Sequence, residues 1–348
     1  MSQGTAQPSP DHVTDLVTPV VVRVAVTIGL LSEVSAQPAP MQQLAAGLRV
    51  DEMVLRRLVR FLAVRGIVSV DADGSVLSTP LGRRLADREG PYAARLDWQG
   101  AAGRMDRSFV EDCLTAVLGQ RRTPDPWAAF DSDPALSGSF DLLMSARATE
   151  WADELVNDPL WGRLGRIADL GGGRGHLLYR LLLAWPQLHG VLVERPGPAR
   201  AAREEAERLG LGDRAQVVDA DIRDAVPTGC DAYILAHVLH DWDDDAAVTI
   251  LRRTAQACGP GERVIVIERE LADDQTSSAA RLEATAQDLR LFVLFGGGER
   301  TRDDLQNLAD SAGLSLERRR PLTSGRSMII LTRSPAPGMP VNLPRVAG

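Results

Sequence analysis

The side chains best suited to chemistry fall in a few short stretches of the second half of the chain. The first is Asp169-Leu170-Gly171-Gly172-Gly173-Arg174-Gly175-His176, at the end of one apolar run and the start of another. Glycines at such a junction let the backbone turn tightly and bring its N–H groups to a ligand. A dinucleotide fingerprint counted from Gly171 and Gly173 would need a third glycine where His176 stands. The G-x-G-x-G spacing found here instead suits S-adenosylmethionine (SAM), which has no pyrophosphate to hold. Taken alone, the cluster is equally a simple tight turn. The second stretch ends in Glu194, whose carboxylate can accept from both hydroxyls of a ribose. The third is Asp219-Ala220-Asp221-Ile222, where Asp221 can accept an adenine amino group and Ile222 can pack on the ring. The fourth is Ala236-His237-Val238-Leu239-His240-Asp241-Trp242. A histidine beside a ligand crevice can remove a proton near neutral pH, although a single histidine more often packs or caps. Asp243 to Asp245 read as first-turn acids favoured by a helix dipole rather than as a metal site, and no metal is expected.

Strands must present these groups along one edge. Ile167–Leu170, Val191–Glu194, Ala215–Val218, Ala232–Leu235 and Arg263–Glu268 are short apolar runs separated by helical patterns. That alternation predicts an α/β fold, a parallel sheet with helices on both faces. Ser315–Arg319 and Ser327–Thr332 have no helix between them and read as an antiparallel hairpin closing the sheet.

The first half reads differently. Val13–Val34 suits a buried helix pair or one kinked helix, Ala36–Pro40 a linker, and Met41–Leu48 a short helix. Asp51 then caps a helix carrying Val54, Leu55, Leu58, Phe61 and Leu62 on one stripe and ending at Gly66. Ile67–Val70 and Val76–Ser78 form a hairpin around Asp73-Gly74. Helix, helix and hairpin make a winged-helix unit. Arg56, Arg57, Arg60 and Arg65 would suit a DNA-binding regulator, but a formal charge of -8 favours a dimerisation or lid module. Residues 92–160 read as largely helical, with loops near Thr123 to Asp133.

All 39 basic residues are arginine, which excludes a Schiff-base or P-loop lysine. Cys113, Cys230 and Cys258 offer no CxxC spacing and read as reduced thiols of a cytoplasmic protein. The acidic balance argues against nucleic acid and anionic membranes as partners. The apolar stretch Val17 to Leu31 is too short and interrupted to span a bilayer.

As a set, these motifs resemble the SAM-dependent O-methyltransferases of plant type and their actinobacterial relatives in antibiotic biosynthesis. Ser78-Thr79-Pro80-Leu81-Gly82 and Gly297-Gly298-Glu299-Arg300-Thr301 extend the likeness over nearly the whole chain. The resemblance implies a class I, Rossmann-like seven-stranded sheet over residues 156–335. It also implies an N-terminal, mostly helical winged-helix dimerisation and substrate-lid domain over residues 1–155; residues 336–348 read as a flexible tail. It implies a homodimer, a substrate pocket between the two domains, a catalytic histidine at His240, and acidic partners at Glu268 and Glu299. Cofactor contacts fall on Asp169, Gly171, Gly173, Glu194, Asp221 and Ile222, and on His237 where the family often carries lysine. Trp98, Phe140, Met144, Arg147, Asp288 and Phe292 are the candidate substrate contacts, with Arg290 and Phe295 nearby in sequence.

The expected reaction is transfer of a methyl group from SAM to a phenolic hydroxyl of a small aromatic molecule, with His240 as base. C-methylation of the activated ring is the alternative. A ligand-sensing regulator and an NAD-dependent oxidoreductase are the competing classes; the glycine spacing disfavours the second.

Overall fold

The computed structural model describes residues 13–87, 90, 92–120, 126–271 and 278–334. The expected terminal segments 1–12 and 336–348 lie outside the described residues. The chain divides into two compact units, Met1–Thr115 with Ala129–Arg147, and Ala116–Ala128 with Ala148–Gly348.

In the first unit α1 (Val17–Thr27) and α2 (Leu30–Ala36) form a pair bent by 63°. Gly29 makes the bend at a φ of 81°, a conformation a side chain would oppose. The expected linker after α2 is partly structured: Ala39–Pro40 (β1) pairs antiparallel with Val76 and Ser75. It covers backbone groups that the hairpin edge would otherwise leave open. Next come α3 (Met41–Leu48) and α4 (Glu52–Val64), whose N-terminus is capped by the Asp51 carboxylate accepting from Val54 N–H. The buried line of α4 is Leu55, Val59 and Leu62, and Val54, expected on that face, is 58% exposed. Strands β2 (Val68–Val70) and β3 (Ser75–Ser78) form the expected hairpin. The chain continues through α5 (Pro80–Ala86), α6 (Ala93–Leu96), α7 (Ala101–Val117), α8 (Pro126–Ser132) and α9 (Pro134–Val156), the last three each running across a boundary between the units. Helix α8 occupies sequence expected to be loop. Pro126 and Pro134 open α8 and α9, where a missing N–H costs nothing, so these prolines start helices rather than break them.

The second unit runs β4 (Arg166–Leu170), α10 (His176–Ala184), β5 (His189–Glu194), α11 (Pro196–Arg208), β6 (Ala215–Asp219), β7 (Ala232–Ala236), α12 (Asp244–Ala257), β8 (Arg263–Arg269), α13 (Ser278–Leu294), α14 (Arg302–Ser311), β9 (Leu314–Pro321) and β10 (Arg326–Arg333). The seven-stranded sheet has the order β6-β5-β4-β7-β8-β10-β9. Strands β4 to β8 are parallel, and β10 runs antiparallel to both β8 and β9. Successive side chains on a strand point to opposite faces. Tyr233 and Leu235 of β7 therefore enter one core cluster with Ile250 and Leu308, while Ala232 and Ile234 enter another with Leu178 and Leu181. Strand order reverses between β4 and β7, and ligands of open α/β sheets bind beyond the carboxyl ends of the strands at such a point. The strands deliver Gly171, Glu194, Asp219, His237 and Glu268 to that edge. Among the described residues no single helix is long and apolar enough to cross a membrane.

Ile234 is fully buried in a central strand. Ile234→Ala is expected to cost about 2–5 kcal/mol of unfolding free energy, read as a lower denaturation midpoint of the second unit. An unchanged midpoint would contradict this packing.

Candidate active site

The turn after β4 has the conformation its glycines allow. Gly171, Gly173 and Gly175 adopt φ values of 73°, 59° and 81°. A β-carbon on Gly175 would also meet the Tyr179 ring at 2.4 Å. Gly173 N–H donates to Glu194 Oε2 at 2.9 Å, and the other oxygen of Glu194 accepts from Arg195 N–H at 2.8 Å. Asp169 is fully buried beneath the turn; burial and then the Glu194 carboxylate push its carboxyl up to about 7. Burial raises Glu194 as well. Two poorly solvated carboxylates beside a glycine turn favour a cationic ligand and oppose a pyrophosphate. The donor set therefore fits the ammonium and sulfonium groups of SAM better than it fits NAD.

Ile222 is buried, and its Cδ1 lies 3.7 Å from the position a Gly171 side chain would take. Asp221 is engaged by its neighbour: Arg223 Nε lies 3.0 Å from Oδ1 and 3.1 Å from Oδ2. Those hydrogen bonds hold the Asp221 carboxyl below the usual range. The same guanidinium lies 4.5 Å from the Trp242 ring centre, and Trp242 stacks on Trp127 at 6.0 Å.

His240 sits in a one-turn 3-10 helix, Leu239–Asp241, just past β7. Its Nδ1 lies 3.2 Å from Glu268 Oε2 and 3.5 Å from Glu299 Oε1, and its Nε2 lies 3.6 Å from Asp241 Oδ1. Glu268 and Glu299 are buried. Burial pulls the imidazole down, but Glu268, Glu299 and Asp241 overcome it and push His240 up to about 10. Burial raises Glu268 in turn, with the His240 charge opposing. The other oxygen of Glu268 accepts from Val238 N–H (3.1 Å) and Leu239 N–H (2.9 Å).

Backbone fit holds the second carboxylate in place. Gly298 N–H donates to His240 O at 2.9 Å, and a β-carbon on Gly297 would lie 2.1 Å from that oxygen. Arg300 follows. Its guanidinium is buried and donates to Leu239 O (2.8 Å), Trp242 O (2.7 Å) and Asp244 Oδ1 (2.9 Å), clasping the histidine turn from both ends. Nothing in the spacing assigns Arg300 this task, and Gly297-Gly298 beside it is the available signal. Asp288 accepts from Glu299 N–H, and burial raises its carboxyl.

His237, with a φ of 56°, turns its ring onto Trp151, 5.0 Å between centres, and accepts from Arg326 Nε at 2.7 Å. Neither Trp151 nor Arg326 carried a sequence signal. The donor atoms of His237, His240 and Glu268 lie within 4.8 Å of one another, but the Arg326 cation on His237 opposes a metal ion there.

The remaining substrate candidates divide between the units. Trp98, Phe140, Met144 and Arg147 belong to the first, where Arg107 lies 5.0 Å from the Trp98 ring centre and Phe140 packs on Phe130 at 4.5 Å. Asp288, Arg290, Phe292 and Phe295 belong to the second; Phe292 is 43% exposed and Phe295 packs on Trp127 at 5.5 Å.

The sheet order, the glycine turn after β4 and the acidic end of β5 define a class I methyltransferase fold. Residues 115–315 match the O-methyltransferase domain family, and the chain belongs to it. It is 37% identical to 2,7-dihydroxy-5-methyl-1-naphthoate 7-O-methyltransferase of Streptomyces carzinostaticus, over 89% of this chain and 93% of that one. It is also 37% identical to aclacinomycin 10-hydroxylase of Streptomyces purpurascens, over 90% of this chain and 85% of that one. An O-methyltransferase of neocarzinostatin biosynthesis, crystallised with SAM and 2-hydroxy-5-methyl naphthoic acid, superposes with a TM-score of 0.84 at 36% identity. That match covers 94% of this chain and 100% of the other.

The buried Asp169 carboxyl makes stability depend on pH. Its folded value, about 7, lies above the unfolded 3.8, so the folded state holds the proton more tightly. The resulting penalty is absent below the unfolded value, grows between 3.8 and about 7, and is full above that. Without cofactor, Asp169→Asn is expected to gain melting temperature relative to wild type as pH rises through this window. A pH-independent difference would contradict the burial.

Proposed function

We propose that the chain methylates a phenolic hydroxyl of a small aromatic natural-product precursor, using SAM, with His240 as general base. The observation that carries the reading is His240 Nδ1 facing two buried carboxylates while Nε2 lies on the other side of the ring. SAM supplies a methyl group activated by a cationic sulfonium, and Asp169, Gly171, Gly173, Glu194, Asp221 and Ile222 are the residues that would hold it. An ordinary phenol has a pKa of about 10, so it needs help to reach its nucleophilic form at neutral pH. His240, pushed up to about 10, is matched to that proton. Glu268 and Glu299 orient the ring and balance the imidazolium that forms.

The same charges impose a condition. A ring pushed up to about 10 is protonated at neutral pH in the ligand-free protein. It acts as base only after losing that proton, which a neighbouring cation favours. Turnover therefore rises with pH above neutrality at saturating SAM.

The naphthoate methyltransferase relative supports an aromatic hydroxyl as acceptor. The hydroxylase relative makes loss of methyl transfer the second reading, and a C-methylated product is the third outcome of the assay. The protein is proposed to work as a homodimer. Val110, Leu114 and Val117 line one face of α7 and are 71%, 67% and 73% exposed, an apolar stripe that a second copy would cover.

The assay is transfer of labelled methyl from SAM to 1,4-dihydroxy-2-naphthoic acid and related phenols, with product structures solved. Wild type is expected to give the methyl ether. His240→Asn is expected to lose about 100- to 10,000-fold in turnover while S-adenosylhomocysteine still raises its melting temperature. Undiminished turnover in that variant would overturn the base assignment, and a product without a transferred methyl would overturn the reaction.

A further inference from the structure

Two imidazoles, not one, face the same carboxylate. Glu268 Oε2 lies 3.2 Å from Nδ1 of His240 and 4.0 Å from Nδ1 of His237, and the ring centres are 5.3 Å apart. Either ring would gain from becoming an imidazolium beside Glu268. If His237 did so, it would take the charge that His240 needs as its counterpart.

Arg326 decides between them. It enters from the start of β10, antiparallel to β8, and its side chain is largely buried. Its Nε–H donates to Nε2 of His237 at 2.7 Å, and NH1 donates to Ser324 O at 3.1 Å. The guanidinium lies 5.8 Å from the centre of the Trp151 ring, which itself packs on His237. A guanidinium has donors only and keeps its proton throughout the physiological range. The nitrogen that accepts from it must carry a lone pair, and an imidazolium has none. The Arg326 contact therefore permits only a neutral His237, with its proton on Nδ1 toward Glu268.

We propose that Arg326 and His237 are positioning residues that form a proton lock: Arg326 holds His237 neutral, so the proton exchanged at this site goes to His240 alone. The inference rests on the reading of His240 as base. It assigns a task to a histidine that the proton-transfer scheme does not otherwise use. Among the described residues, the charged and titratable groups that act on His240 are Glu268 at the end of β8, Glu299 beyond α13 and Asp241 on its own turn, with the His237 ring, held by Arg326 of β10, 5.3 Å away and Arg300 bound to the Leu239 carbonyl. Asp288 of α13 accepts from the backbone of Glu299. Among them Arg326 is the cation bound to the competing ring; Arg300 binds backbone carbonyls of the turn and Asp244.

The chain has 5 histidines, which keeps a nitrogen-15 histidine spectrum readable. In ligand-free wild type, His237 is expected to show a protonated Nδ1 and an unprotonated Nε2, unchanged from about pH 5 to about pH 8. In Arg326→Met the same ring is expected to take up a second proton as pH falls through this range. The kcat/KM profile of that variant gains a bend there, which Arg326→Lys removes by restoring the donor. The double variant Arg326→Met, His237→Asn lacks the bend because the competing ring is gone. A His237 that titrates normally in wild type overturns the proposal even if no variant folds. So does an Arg326→Met protein with the wild-type spectrum and profile. Failure of the base reading shows separately, as undiminished turnover in His240→Asn with the His237 spectrum still locked.

Discussion

The site depends on one carboxylate with two occupations. Glu268 caps the backbone beyond β7 with one oxygen, through Val238 and Leu239, and faces the His240 ring with the other. Both are possible because β7 and β8 run parallel in a register that sets Ala236 opposite Ile267. The capped amides fix where the histidine turn begins, and the facing oxygen fixes which ring nitrogen is held. A shorter acid, or a one-residue slip of either strand, would break both at once, since a slip sends every side chain to the opposite face.

Around that carboxylate the molecule balances charge in a confined space. Glu268 and Glu299 would repel each other strongly without a shared cation, and the imidazolium of His240 supplies one. Arg300 holds the turn by its carbonyls and pairs with Asp244. Across the strand-order reversal, Asp169 and Glu194 form another pair of poorly solvated acids under the glycine turn. That pair suits a cationic ligand, and a cation bound near His240 would ease the ring's proton off. On the proposed reading, a cation held by that pair and the His240 cluster would be linked by electrostatics as well as by the sheet between them.

Most of the sheet was legible in the sequence because buried parallel strands read as short apolar runs punctuated by helices, and each expected strand is present within a few residues. The glycine turn was legible because alternate glycines announce positive φ. His240 with Glu268 and Glu299 was reached through the likeness of several motifs, not from spacing, since the three come from separate segments. What escaped notice depends on tertiary contacts. Arg326 lies 89 residues from His237, and only the antiparallel placement of β10 beside β8 brings them together. Val54 on α4 fits the apolar stripe by spacing but faces outward, because the buried line runs through Val59 instead. The proline-led helix α8 reads as a loop by sequence because proline ends helices more visibly than it begins them.

The most direct test of the Glu268–His240 pair is the titration of the His240 ring in ligand-free protein, followed by nitrogen-15 NMR in wild type and in Glu268→Gln. The geometry predicts that the wild-type ring keeps both N–H protons past neutrality and releases one of them only toward about 10, and that removing the Glu268 charge moves the release to lower pH. A ring that titrates at the ordinary histidine value of about 6.5 in both proteins would contradict the account.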